Sequence, residues 1–181
     1  MHFQRVIFCL FALAFSSPCM ATLLIDAIRN GETDEAVESL IRSEGRLDER
    51  DTTGTTALIQ AVTWGRLKVV EALAASGADL NFSNSLKWTP FQTALQMGDR
   101  AQSIQMATLL LTHGRGRVRV QSAEIRKYLT WPTPRDKDIY PEIGSRVTEL
   151  LEKLPPEIIA ASNLQKAWAE LSHEFTDPYL L

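Results

Sequence analysis

The sequence predicts an all-α solenoid of paired antiparallel helices joined by short turn-built fingers. Three observations carry that prediction. Apolar residues fall at helical spacing in short blocks: Ala57, Leu58, Ala61 and Val62, then Leu67, Val70, Leu73 and Ala74. Gly65 follows the first block and Gly77 the second, at places that suit the left-handed position after a helix. The pattern then returns along the chain at offsets of 33 and 34 residues, the mark of a repeat array.

The most regular unit runs from Asp51 to Asn84. Thr56 is placed to cap its first helix, because a hydroxyl can accept from the orphan amides of a helix start. Gly77-Ala78-Asp79-Leu80-Asn81 leads from the second helix into a turn. One such unit cannot bury both of its apolar faces and needs neighbours on each side. Asp51, Gly54, Thr56, Leu58, Ala61, Gly65, Val69, Val70, Leu73, Gly77, Ala78, Asp79 and Asn81 together resemble the ankyrin repeat. The resemblance implies an ankyrin-repeat solenoid with short β-turn fingers. Two positions depart from it. Ala57 stands where the family has Pro, and Ile59 where it has His. The first helix therefore lacks a preset N1 proline, and the hydrogen bonds of that histidine are missing.

The other units follow from this one. Repeats are expected at about 22–50, 51–83 and 84–116, with a divergent one at 117–154 and a capping helix at 157–172. In the first repeat Leu24, Ala27 and Gly31 precede Leu58, Ala61 and Gly65 by 34, while Val37, Leu40 and Leu47 precede their partners by 33. One extra residue is thus expected in the turn Glu32 to Glu35. This repeat is acidic, a composition that reads first as a solvated face and second as a docking patch. In the third repeat Thr89-Pro90-Phe91-Gln92-Thr93-Ala94 keeps the helix start, and Gly98 lies 33 after Gly65. Ala107, Leu110, Leu111 and Gly114 then match at an offset of 37, so four residues are inserted around Asp99 to Ser103. They are expected to form a loop.

Beyond Gly114 the pattern weakens. Ser122 is placed to cap a short helix carrying Ala123, Ile125, Tyr128 and Leu129. Three prolines between Trp131 and Pro141 make the next segment irregular. Glu142 to Leu154 is expected as a helix, with Ile143, Val147, Leu150, Leu151 and Leu154 on one side. After Pro155-Pro156 one continuous helix is expected from Glu157 to Ser172. Its stripe of Ile158, Ala161, Leu164, Trp168 and Leu171 would cover the last face of the stack.

The first 21 residues resemble a secretory signal. His2 and Arg5 precede an apolar run from Val6 to Phe15, and Ala21 sits at a plausible cleavage edge. That run is short for a membrane span, which takes about 20 residues. Cleavage there would leave Thr22 to Leu181 as a single domain with 18 Lys+Arg against 22 Asp+Glu, a net charge of −4. Both cysteines, Cys9 and Cys19, lie in the removed part. An exported, cysteine-free chain is expected in a bacterial periplasm.

Little in the sequence points to catalysis. His113 stands at a helix end, where its cation favours the helix dipole, and His173 lies beside Glu174. No His-Glu-x-x-His, Gly-x-Ser-x-Gly or phosphate-loop pattern occurs. No cofactor and no metal are expected, and the mild acidity gives no basis for nucleic-acid binding. A protein partner is the expectation instead. The ankyrin resemblance implies contact through fingers and the inner-helix face. The candidate residues are Trp64, Phe82, Trp88 and Met97, large apolar groups suited to an interface hot spot. Arg115, Arg117 and Arg119 join them as the basic edge of a finger, all on one side if that segment is extended. By analogy with small exported ankyrin proteins, the function expected is a periplasmic inhibitor or immunity protein. An accessory role beside a periplasmic enzyme such as a catalase is the second reading.

Overall fold

A computed structural model describes residues 23–43, 45–114, 118–120 and 140–175. The signal-like segment, the helix expected near Ser122 and Arg115 and Arg117 lie outside the described residues. Helices pair in chain order: α1 (Leu23–Arg29) with α2 (Asp34–Ser43), α3 (Ala57–Thr63) with α4 (Leu67–Ala75), and α5 (Pro90–Leu95) with α6 (Arg100–Gly114). They are followed by α7 (Tyr140–Lys153), α8 (Pro156–Ser162) and α9 (Leu164–Phe175). The inner row stacks α1 on α3 on α5, and the outer row stacks α2, α4, α6 and α7. Among the described residues there is no strand, only an isolated antiparallel bridge between Arg50 and Thr56. The expected helical solenoid is thus formed among the described residues.

The apolar stripes meet in one continuous core through the stack. Leu58, Leu73, Phe91, Leu95, Leu110 and Leu111 are fully buried within it. Truncating such a leucine to alanine removes about 2–5 kcal/mol of stability. The turns repeat as closely as the stripes. Gly31, Gly65 and Gly77 all hold positive φ, at 75°, 67° and 97°. Each hands the next amide back to the helix it ends: Glu32 N–H to Ala27 O, Arg66 N–H to Ala61 O and Ala78 N–H to Leu73 O. Ala27, Ala61 and Leu73 carbonyls would otherwise be orphaned helix ends. The lengthened turn of the first repeat is clasped from the second: Arg66 donates to Asp34 Oδ1 at 2.6 Å and to Glu32 O.

The inserted residues of the third repeat are helical, where a loop was expected. Asp99 starts the helix, accepting from Gln102 N–H at 2.7 Å. Helix α6 consequently has 15 residues against 9 in α4. Four residues make about one turn, so the insertion adds a turn at the start of the helix without rotating the apolar face away from the core. Ser103, inside the insertion, is buried and donates to Ala94 O at 2.8 Å.

The single capping helix expected at 157–172 is two helices. Asn163 sits between them with φ 62°, one of the few side chains that adopt the left-handed region readily. Its neighbours hold the break in place. Val120 N–H donates to Ser162 O at 2.9 Å, and the Asn163 amide donates to Val120 O.

Candidate partner-binding surface

The fingers are shaped by one side chain each. Asp51 Oδ1 accepts from the amides of Thr53 and Thr55 and from the Thr53 hydroxyl. Asn84, 33 residues on, accepts from the amides of Leu86 and Trp88 in the same way. Burial acts to raise the Asp51 pKa, but the Thr53 and Thr55 hydrogen bonds, with Arg29 at 2.8 Å, outweigh it and hold the carboxyl below its ordinary range. Arg29–Asp51 is one of several pairs that occupy the acidic first repeat. Asp34 is held by Arg66, Glu38 by Arg42 and Glu49 by Arg46. Asp48 accepts from the Asp79 amide at 2.7 Å.

Between the second and third repeats lies an open groove of about 480 Å³. Its walls come from the inner helices and from the third finger: Ile59, Gln60 and Thr63 from α3, Thr93 in α5, and Leu86 and Trp88 from the finger. Of the seven residues expected at the interface, the groove brings together Trp88 and Met97. Trp88 is half-buried against the core, its amide fixed by Asn84. Met97 is also half-buried.

The others lie elsewhere. Trp64 ends α3 and is 57% exposed, outside the groove lining. Phe82 is half-buried beneath the Arg50 guanidinium, 4.4 Å from its ring centre. Arg119 is exposed, between buried Val118 and Val120, so these three residues alternate as an extended segment should. Its amide is tied to Asn81 Oδ1 at 3.0 Å.

Sequence reasoning missed two important residues. Leu86 is 65% exposed on the finger tip beside Trp88. A leucine amid Asn84, Ser85 and Lys87 was the available signal. Arg146 in α7 is only 3% exposed, and its Nη1 donates to Leu95 O at 2.7 Å and Met97 O at 2.6 Å. It therefore closes the end of α5 and fixes the Met97 wall of the groove. Arg100 adds a second tie, to Ser145 Oγ and Glu149. Hydrogen bonds from Lys153 first and then Arg100 hold the Glu149 carboxyl below its ordinary range. Arg146 stands one residue before Val147, close to the apolar stripe of its helix, which was the clue to an inward-facing charge.

Stacked helix pairs with an open inner face define a repeat protein of the protein-binding kind. The model of ankyrin repeats in three copies matches residues 24–122, and the chain belongs to the ankyrin-repeat family. Repeats of this family are typically non-catalytic interaction modules. The chain is also 33% identical over 92 residues to the RelA-associated inhibitor of Mus musculus. That similarity takes in 51% of this chain and 11% of the mouse protein.

Proposed function

We propose that this ankyrin array is an exported, non-catalytic inhibitor or immunity protein that docks on a toxin or enzyme in the periplasm and neutralises it. The observation that carries the reading is the pairing of an open groove with exposed apolar side chains on one ankyrin scaffold. Trp64 at 57% and Leu86 at 65% exposure are large apolar groups left to solvent on a small chain. Aromatic and aliphatic groups of this kind, ringed by polar residues, anchor protein interfaces. The signal-like first 21 residues support export, and the absence of cysteine after Cys19 suits a periplasmic setting. The mouse relative is named as an inhibitor, in keeping with a blocking role.

The test is to co-produce the protein with the product of the adjacent gene, since a toxin and its immunity protein are commonly encoded side by side. The expected result is a stoichiometric complex in which the neighbour's activity is lost. Trp64→Ala with Trp88→Ala should weaken that complex about 30-fold or more, as hot-spot truncations do. A neighbour whose activity is untouched or raised overturns the inhibitor reading, and a raised activity favours an accessory role.

A further inference from the structure

The chemistry of the groove says what kind of partner surface it takes. We infer that it receives an electroneutral, extended stretch of a protein partner, with one apolar side chain between Ile59, Trp88 and Met97 and main-chain groups bonded by Gln60 and Gln96. This rests on the protein-binding reading above and names the occupant of the same site. Three observations lead to it.

Among the described residues the lining contains no ionisable side chain. A charged group of the partner seated there would lose part of its hydration with no counter-charge from these residues in return, a net penalty. An uncharged segment meets no such penalty.

The polar lining is also the right kind for a peptide backbone. The Thr63 and Thr93 hydroxyls have given their protons to Ile59 O and Thr89 O, so both remain as acceptors. The backbone amides of Gln60 and Gln96 are used within their helices, but their side-chain amides are bonded to nothing among the described residues. Each carries donors and an acceptor together, the complement of a peptide group. Peptide groups with both halves free are found in extended or looped chain, because helices and sheet interiors use their own.

The apolar lining is confined. Ile59 is buried in α3, the Met97 carbonyl is held by Arg146, the Trp88 amide is fixed by its finger, and Leu86 stands exposed at the rim. Such a set offers one seat for an aliphatic or aromatic side chain, with the amides to either side.

A random peptide library displayed against the purified protein tests this. The expected winners lack Asp, Glu, Lys and Arg at their centre and share an apolar residue there. Binding of a synthetic winner should fall about tenfold or more on Gln60→Glu/Gln96→Glu, since each substitution brings charge into a neutral seat. Circular dichroism checks that the double variant keeps its fold. Placing one Asp at the centre of the winner should weaken it similarly on the unaltered protein, which tests the same point without any variant. Enrichment of acidic or basic peptides, equal binding to the double variant, or no enrichment at all overturns the inference. The inhibitor reading is judged separately: a complex with the neighbouring gene product that the double variant does not weaken leaves that reading standing and removes this one.

Discussion

The second and third repeats place the same turn on the same frame and stabilise it by different means. In the second, a charged Asp51 organises the finger, Gly54 occupies its left-handed position at φ 74°, and Thr56 alone caps the helix. In the third, a neutral Asn84 organises the finger, Lys87 sits in the left-handed position at φ 63°, and Thr89 and Gln92 cap the helix reciprocally. The difference follows from what each finger must touch. A side chain on Gly54 would meet Ser85 of the next finger, 2.8 Å from its Oγ and 3.0 Å from its amide. The Ser85 amide itself donates to Thr53 O. Only glycine leaves room for that contact. At Lys87 a full side chain is carried instead, despite the strain, next to exposed Leu86 and the groove. Strain of this kind tends to collect where a surface is used.

Exchanging the residues of the two fingers tests how deep the difference runs. Gly54→Lys should be the most damaging, costing roughly 2–4 kcal/mol in urea unfolding from backbone strain and the displaced Ser85. A midpoint equal to that of the unaltered protein would show that the fingers do not depend on each other. Next come the caps. Thr89→Ala removes the hydroxyl that accepts from the Gln92 amide but keeps the backbone N–H that Gln92 Oε1 accepts, so it should cost about 1 kcal/mol, as should Thr56→Ala, each read from its urea midpoint.

Asp51→Asn keeps the turn, as Asn84 demonstrates, but removes the charge facing Arg29. The expected loss is about 0.5–1 kcal/mol at neutral pH, because the pair is partly exposed. Its pH dependence has a definite sign. A carboxyl with a depressed folded pKa contributes its full stability above the unfolded value of about 3.9 and loses it as pH falls through the folded value. Thermal melts of the two proteins should therefore converge in strong acid and separate as pH rises past about 4. Curves that stay parallel would mean the charge is idle. Smallest of all, Lys87→Gly should raise stability by about 0.5 kcal/mol, relief of strain offset by unfolded-state entropy. A loss instead would show that the Lys87 side chain makes contacts of its own.

Much of the fold was legible because the repeat writes its turns in glycine and its helices in spacing. Gly31, Gly65 and Gly77 are needed for their positive φ, so their positions alone located three helix ends. The insertion before Ala107 was misread because an alignment offset counts residues and says nothing of their conformation. Asp99 as a helix cap was the local signal that outweighed it. The break at Asn163 escaped for a similar reason: a stripe of apolar residues continues through it, and an asparagine in the left-handed region is a weaker mark than a glycine. At the surface, Trp88 and Met97 could be named from their places in the unit. The groove between them could not, because it depends on how two repeats stack. The place of Arg146 beside the stripe of its helix hinted at an inward-facing charge, but its partners were out of reach, since they lie about 50 positions earlier in the chain.

The Arg146 clamp sets the size of the smallest portable form of this surface. Repeat proteins are usually cut and joined at repeat borders, on the footing that each unit answers only to its neighbours. Here the recognisable three-repeat signature ends at residue 122. A fragment trimmed to that signature would carry Trp88 and Met97 but leave the Leu95 and Met97 carbonyls without the guanidinium that closes their helix. An engineer grafting this groove onto another array would need to carry the chain through Lys153, so that the module is defined by a buried cation as much as by its repeats.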